Sequence, residues 1–180
     1  MYKYLSLILI ILLTGCTTMK VVKTDAETGL FSVSKVATIT KNIPIDLDTK
    51  KSLILVPNGD FTGNMIKNIG YFEKVINFEE LEVIIIKENL TDAVPSVDDR
   101  IGINKAAKAY KPFLWLRWHT RQDGSKQYQQ LILTDPITLE DYFITETYLD
   151  YAWAGVNDQN NNYPMFNAFI KYLQQHSEIY

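Results

Sequence analysis

The sequence predicts an α+β domain, with a mixed sheet containing an antiparallel three-strand meander, helices packed on that sheet, and a closing amphipathic helix. Three observations carry this prediction. "FLWLRWHTR", "KQYQQLILTD" and "DYFITETYLDY" follow one another as strand-like segments rich in β-branched and aromatic residues. Asp123-Gly124 separates the first two as a hairpin signal, and Asp135-Pro136 supplies the second turn. Near the end, Phe166, Phe169, Ile170 and Leu173 recur at helical spacing behind Pro164. That is an apolar stripe aimed at a sheet, with Lys171, Gln174 and Gln175 facing outward.

The remaining elements follow in order. "SVSKVATITKNIPIDLD" is extended, because its β-branched residues and Pro44 oppose a helix. Leu53 to Val56 is a continuous apolar run bounded by Pro57-Asn58-Gly59, the pattern of a strand buried on both faces. Phe61, Met65, Ile66 and Ile69 share a helical face that stops at Gly70, and "FEKVIN" alternates as the next strand. Residues 78–90 carry conflicting signals. Val83 to Ile86 are β-branched, yet Asn77 and Glu80 stand three apart as a capping box requires, and Phe78, Leu81, Ile84 and Ile85 keep helical spacing. A helix is expected there. Asp98 or Asp99 caps the next helix, whose buried face is Ile103, Ala106, Ala107 and Tyr110 and which Pro112 forbids to continue.

The N-terminus reads differently. Lys3 precedes an apolar run from Leu5 to Leu13, interrupted only by Ser6 and far shorter than the roughly 20 residues that span a bilayer as a helix. It has the proportions of a signal-peptide core. Leu13-Thr14-Gly15-Cys16 resembles the lipobox of bacterial lipoproteins. The resemblance implies that Cys16 becomes the first mature residue and is acylated. Thr17, rather than Asp, then favours the outer membrane. The expected division is a signal peptide over 1–15, lipidated Cys16 and a tether over 16–32, and a single α/β domain over 33–180.

Few chemistries are signalled. Cys16 is the only cysteine, so its acylation leaves no thiol for a disulfide, a thiolate metal site or a nucleophile. The formal charge is −3, and loss of Lys3 makes it more negative, whereas nucleic acid calls for a basic face. His119 and His176 lack partners at metal-ligand spacing, and His176 suits the last turn of a helix through the dipole. Glu79-Glu80 and Asp98-Asp99 are explained by helix starts, and Glu140-Asp141 by a turn into a strand. No cofactor, metal or catalytic residue is expected.

"DYAWAGVNDQNNNYP" stands apart. Asn161 or Asn162 serves as the cap of the last helix, but Trp153, Gly155, Asn157, Asp158 and Gln159 exceed what a cap needs. Those five residues are the candidate interface.

"LILVPN", a helix, "FEKVIN", a capped helix, a helix ending in "AAKAY", then "FLWLRW", "LTDP", "TLEDYF" and the closing helix form an ordered series over roughly residues 50 to 175. This series resembles the small α/β domain of the curli-secretion, penicillin-binding-protein-activator and Tol-Pal N-terminal type envelope proteins. "LTDPITLEDYF" is similar to the strand-turn-strand that carries D-x-x-T-G-E there, with Leu139 where glycine usually follows the threonine. The resemblance implies a non-catalytic docking, assembly or activator module for another envelope protein. The competing expectation is a small-ligand or peptidoglycan-binding module, or less readily a hydrolase, using the 153–159 loop. Oligomeric state stays open.

Overall fold

The computed structural model describes residues 19–151 and 156–178. Strands β1 (Thr38–Asn42), β2 (Ile54–Leu55), β3 (Val75–Ile76), β4 (Leu114–Asp123), β5 (Lys126–Thr134) and β6 (Asp141–Tyr148) form one sheet, ordered β1-β6-β5-β4-β2-β3. β2 runs parallel to β3 and β4, and the pairs β4–β5, β5–β6 and β6–β1 are antiparallel. The sheet is therefore mixed, and its meander is the expected one. Helices α1 (Asp60–Ile69), α2 (Phe78–Lys87), α3 (Arg100–Ala109) and α4 (Tyr163–His176) complete the regular structure, with a π-helical turn at Asp158–Asn162 before the last.

Two apolar clusters lie on opposite faces of the sheet. α1 and α4 cover Ile54, Val56, Leu114, Leu116, Leu131, Leu133 and Phe143. α2 and α3 cover Leu53, Leu55, Ile76, Phe113 and Trp115. The run Leu53 to Val56 thus divides alternately between the two clusters, as an unbroken apolar run requires when a strand is covered on both faces.

Residues 78–87 are helical despite their β-branched run. The Asn77 side chain accepts from the Glu80 N–H at 2.8 Å, and the Glu80 carboxylate accepts from the Asn77 N–H at 2.9 Å. This capping box and the burial of Leu81 and Ile85 outweigh propensity differences of a few tenths of a kcal/mol per residue. Val83 and Ile86 point outward. The helix stops at Lys87, short of 90, because Asn89 turns left-handed (φ 55°). Its N–H and that of Leu90 then bond the carbonyls of Ile86 and Ile85, a Schellman stop. Asp99, not Asp98, caps α3, accepting from the Gly102 N–H at 2.7 Å. Leu139 holds φ 61°, a left-handed backbone at the position where the resembled motif has glycine.

Two expectations are corrected. Residues 19–32, read as part of a tether, are strapped onto the domain. Phe31 is buried in the α1–α4 cluster, and its N–H and C=O bond the two ends of the Asn167 amide at 2.7 and 2.8 Å. Asn68 donates to the Val22 carbonyl and Tyr163 to that of Lys20, both at 2.8 Å. These anchors are long-range in sequence and leave no local pattern. The second correction concerns the last helix. Asn162 holds the position ahead of α4 but its side chain makes no cap bond, and Asn157 instead caps the π-helical turn, accepting from the Asn160 N–H at 3.0 Å.

Candidate functional site

Of the residues singled out from sequence, Cys16, Trp153 and Gly155 lie outside the described residues. Asn157, Asp158 and Gln159 come together at the π-helical turn, where each has an internal task. Asn157 is the cap. Asp158 accepts from the Lys20 N–H at 2.7 Å and from the Asn162 amide at 2.8 Å. The Gln159 carbonyl accepts from the Ser34 N–H at 3.1 Å. Asn160, Asn161 and Asn162 are buried, and the Asn161 amide donates to the Tyr148 carbonyl at 3.1 Å. An amide-rich run can be buried in this way because every side chain brings both a donor and an acceptor. An open cleft of about 740 Å³ lies between this turn and the strap, lined by Met19, Lys20, Ser34, Val156, Asp158 and Tyr163 among others.

A second region, not singled out from sequence, lies on the α2–α3 side of the antiparallel strands. Register places Arg117 opposite Ile132 and Ile144, His119 opposite Gln130 and Glu146, and Arg121 opposite Tyr128 and Tyr148. Among the described residues, the apolar cluster of α2 and α3 takes no member from β5 or β6. Neither helix makes more than marginal contact with β5 or β6, so these three rows have no helix over them, and Ile132, Gln130 and Glu146 are buried without one.

Side chains of the face hold one another in place. Arg121 grips Glu146 with two bonds of 2.8 and 3.0 Å, lies over the Tyr128 ring at 4.4 Å, and reaches Asp123 at 3.4 Å. Gln130 donates to Glu146 at 2.7 Å. Arg117 forks onto Asp141 with two bonds of 3.0 Å and donates to Thr134 at 3.2 Å. The bonds from Arg121 hold the Glu146 carboxyl below its ordinary range, against a burial that would raise it, and those from Gln130 assist. Ile132, only 3% exposed, belongs to neither apolar cluster. His119 and Tyr148 stand exposed at the surface of the rows.

This face could have been found by counting. The pair Asp123–Lys126 closes a two-residue hairpin, and stepping back from it sets Arg121 opposite Tyr128 and His119 opposite Gln130. What the sequence does not reveal is which strands the helices leave uncovered.

Other polar groups are occupied by the fold. Burial would raise the Asp135 carboxyl, but bonds from Lys50 at 3.0 Å, the Ile137 N–H at 2.8 Å and the Tyr142 hydroxyl at 2.9 Å hold it below its usual value. Burial and that carboxylate push the Tyr142 hydroxyl up to about 12. The cluster secures the "LTDP" turn. His176 packs on Tyr172 with ring centres 4.7 Å apart and lies 2.9 Å from the Asn42 side-chain oxygen. Among the described residues no group of three metal-ligating side chains occurs, and no helix is long and apolar enough to cross a membrane.

No family model and no curated protein matches this chain. Among solved structures it is similar to the LpoB C-terminal domain from Escherichia coli, at 16% identity and a TM-score of 0.36, over 57% of this chain and 84% of that one.

Proposed function

We propose that this protein is a non-catalytic docking or activator module for another envelope protein, anchored through acylated Cys16 to the outer membrane and facing the periplasm. The "LTGC" stretch supports the address. The uncovered face of β4, β5 and β6 is the observation that carries the docking role. Arginine and tyrosine are the residue types that anchor protein interfaces, and here both are ordered before any partner arrives. A prearranged face loses less side-chain freedom on binding.

The test is photo-crosslinking in living cells, with the reactive residue placed at position 119 or 148 and the adducts identified by mass spectrometry. One dominant protein adduct from both positions is the expected result. No adduct above background would overturn the docking role. A second reading, binding of a small ligand or peptidoglycan fragment, draws on the cleft beside Asp158. It predicts glycan adducts from a reactive residue at position 156 and none from 119.

A further inference from the structure

The strap determines where the anchor must sit. The Lys20 N–H is fixed to Asp158 and its carbonyl to Tyr163, so the chain toward Cys16 leaves the domain at the π-helical turn. Three residues separate Lys20 from Cys16, so the four steps span at most about 14 Å when fully extended. No long tether lifts the domain away from an anchor on Cys16.

The surface around this exit has an unusual composition. Met19 and Val156 are exposed where they line one cleft, and Val33 and Val36 are exposed on either side of Ser34 and Lys35, with Val36 at 87%. Tyr151 is exposed as well, its hydroxyl on Gln127 at 3.2 Å. Lys20, Lys35 and Lys126 are exposed among these apolar side chains. Of the acids at the same end, Asp123 is occupied by Arg121, Asp158 by the Lys20 N–H and the Asn162 amide, and Asp150, beside Tyr151, is half-buried.

From this we infer that the strap end is a membrane-contacting face, seated on the lipid surface that holds the anchor. It rests on the lipidation reading proposed above. Apolar side chains at the headgroup boundary, with lysines reaching lipid phosphates, bind a bilayer interface and act together with a covalent lipid. The strands then rise from the membrane. The rows through His119, Gln130 and Glu146 open sideways, toward a partner in the periplasm.

The test uses the full lipidated protein in vesicles of phosphatidylethanolamine and phosphatidylglycerol. Because lipidation consumes Cys16, a nitroxide can be attached specifically through Val36→Cys, Val156→Cys or, at the opposite end, Gln175→Cys. Labels at 36 and 156 are expected to show a several-fold loss of collision with a water-soluble nickel chelate on reconstitution, and the label at 175 none. Protein that floats with the vesicles but leaves all three labels equally accessible overturns the membrane face alone. Protein that carries no acyl mass and does not float overturns the anchor, and this inference with it.

Discussion

β2 and β5 lie two places apart in one sheet, and both contain an unbroken apolar run. In β2 and its flanks, Leu53 and Leu55 face α2 and α3 while Ile54 and Val56 face α1 and α4. In β5, Leu131 and Leu133 join the α1–α4 cluster, but Ile132, pointing the other way, is shut from water without membership of a second cluster. Its register neighbours are Arg117 and Ile144. The same local pattern is thus satisfied by a helix in one strand and by the stems and heads of the sheet's own side chains in the other. A face closed in that manner remains accessible from outside, whereas a face under a helix does not.

The largest expected effect sets the two strands against each other. Leu53→Ala removes a side chain enclosed by two helices and should cost about 4 kcal/mol, whereas Ile132→Ala should cost about 2 kcal/mol because Arg117 and Ile144 can settle into the space. Denaturant unfolding of both variants measures the difference. Equal losses would mean that the β5 face is as tightly closed as the β2 face, and the contrast would fail.

Next comes the charged lattice. Glu146→Gln keeps the shape of the side chain but surrenders its charge to Arg121, with an expected loss of about 1–2 kcal/mol at neutral pH. The folded Glu146 carboxyl lies below its ordinary value, so its contribution is complete above the unfolded value of about pH 4.3 and is lost as pH falls through the lower folded value. The variant should therefore show a flatter decline in stability over that acidic window. Urea midpoints that fall in parallel for the two proteins would show that Glu146 is not coupled to folding through Arg121.

Much of the covered half was legible in the sequence, and for a physical reason. Capping, helical spacing and turn chemistry are local, and at Asn77 and Glu80 the local signal was specific enough to prevail over four β-branched residues in a row. The strap was not legible, because Phe31 is held by Asn167, 136 positions away. The asparagine run was not legible for a related reason: its side chains find partners in β6 and in the π-helical turn itself, so residues suited to solvent are buried. The uncovered face was half legible. Its register follows from the hairpin at Asp123, but exposure depends on which part of the sheet α2 and α3 cover, and that is decided by their packing on β2 and β3.

The smallest expected change in stability is the sharpest probe of function. His119 is exposed at the β4 end of the middle uncovered row, opposite Gln130, with no hydrogen bond to the face among those that join Arg117, Arg121 and Glu146. His119→Ala should therefore move folding stability by no more than about 0.5 kcal/mol. If the rows are a docking face, the same substitution should sharply reduce the protein adduct formed by a crosslinker at position 148, two strands away on β6. Position 148 is set against Tyr128, which packs on the native Tyr148 ring at 5.7 Å and is not in the His119 row, so the crosslinker's setting is not disturbed by the change at 119. An adduct that persists at full yield, in a variant of unchanged stability, would mean that the partner does not touch the β4 side of the face. The ordered lattice beneath would then be a device for closing β5 without a helix, and the difference between the two strands would concern stability alone.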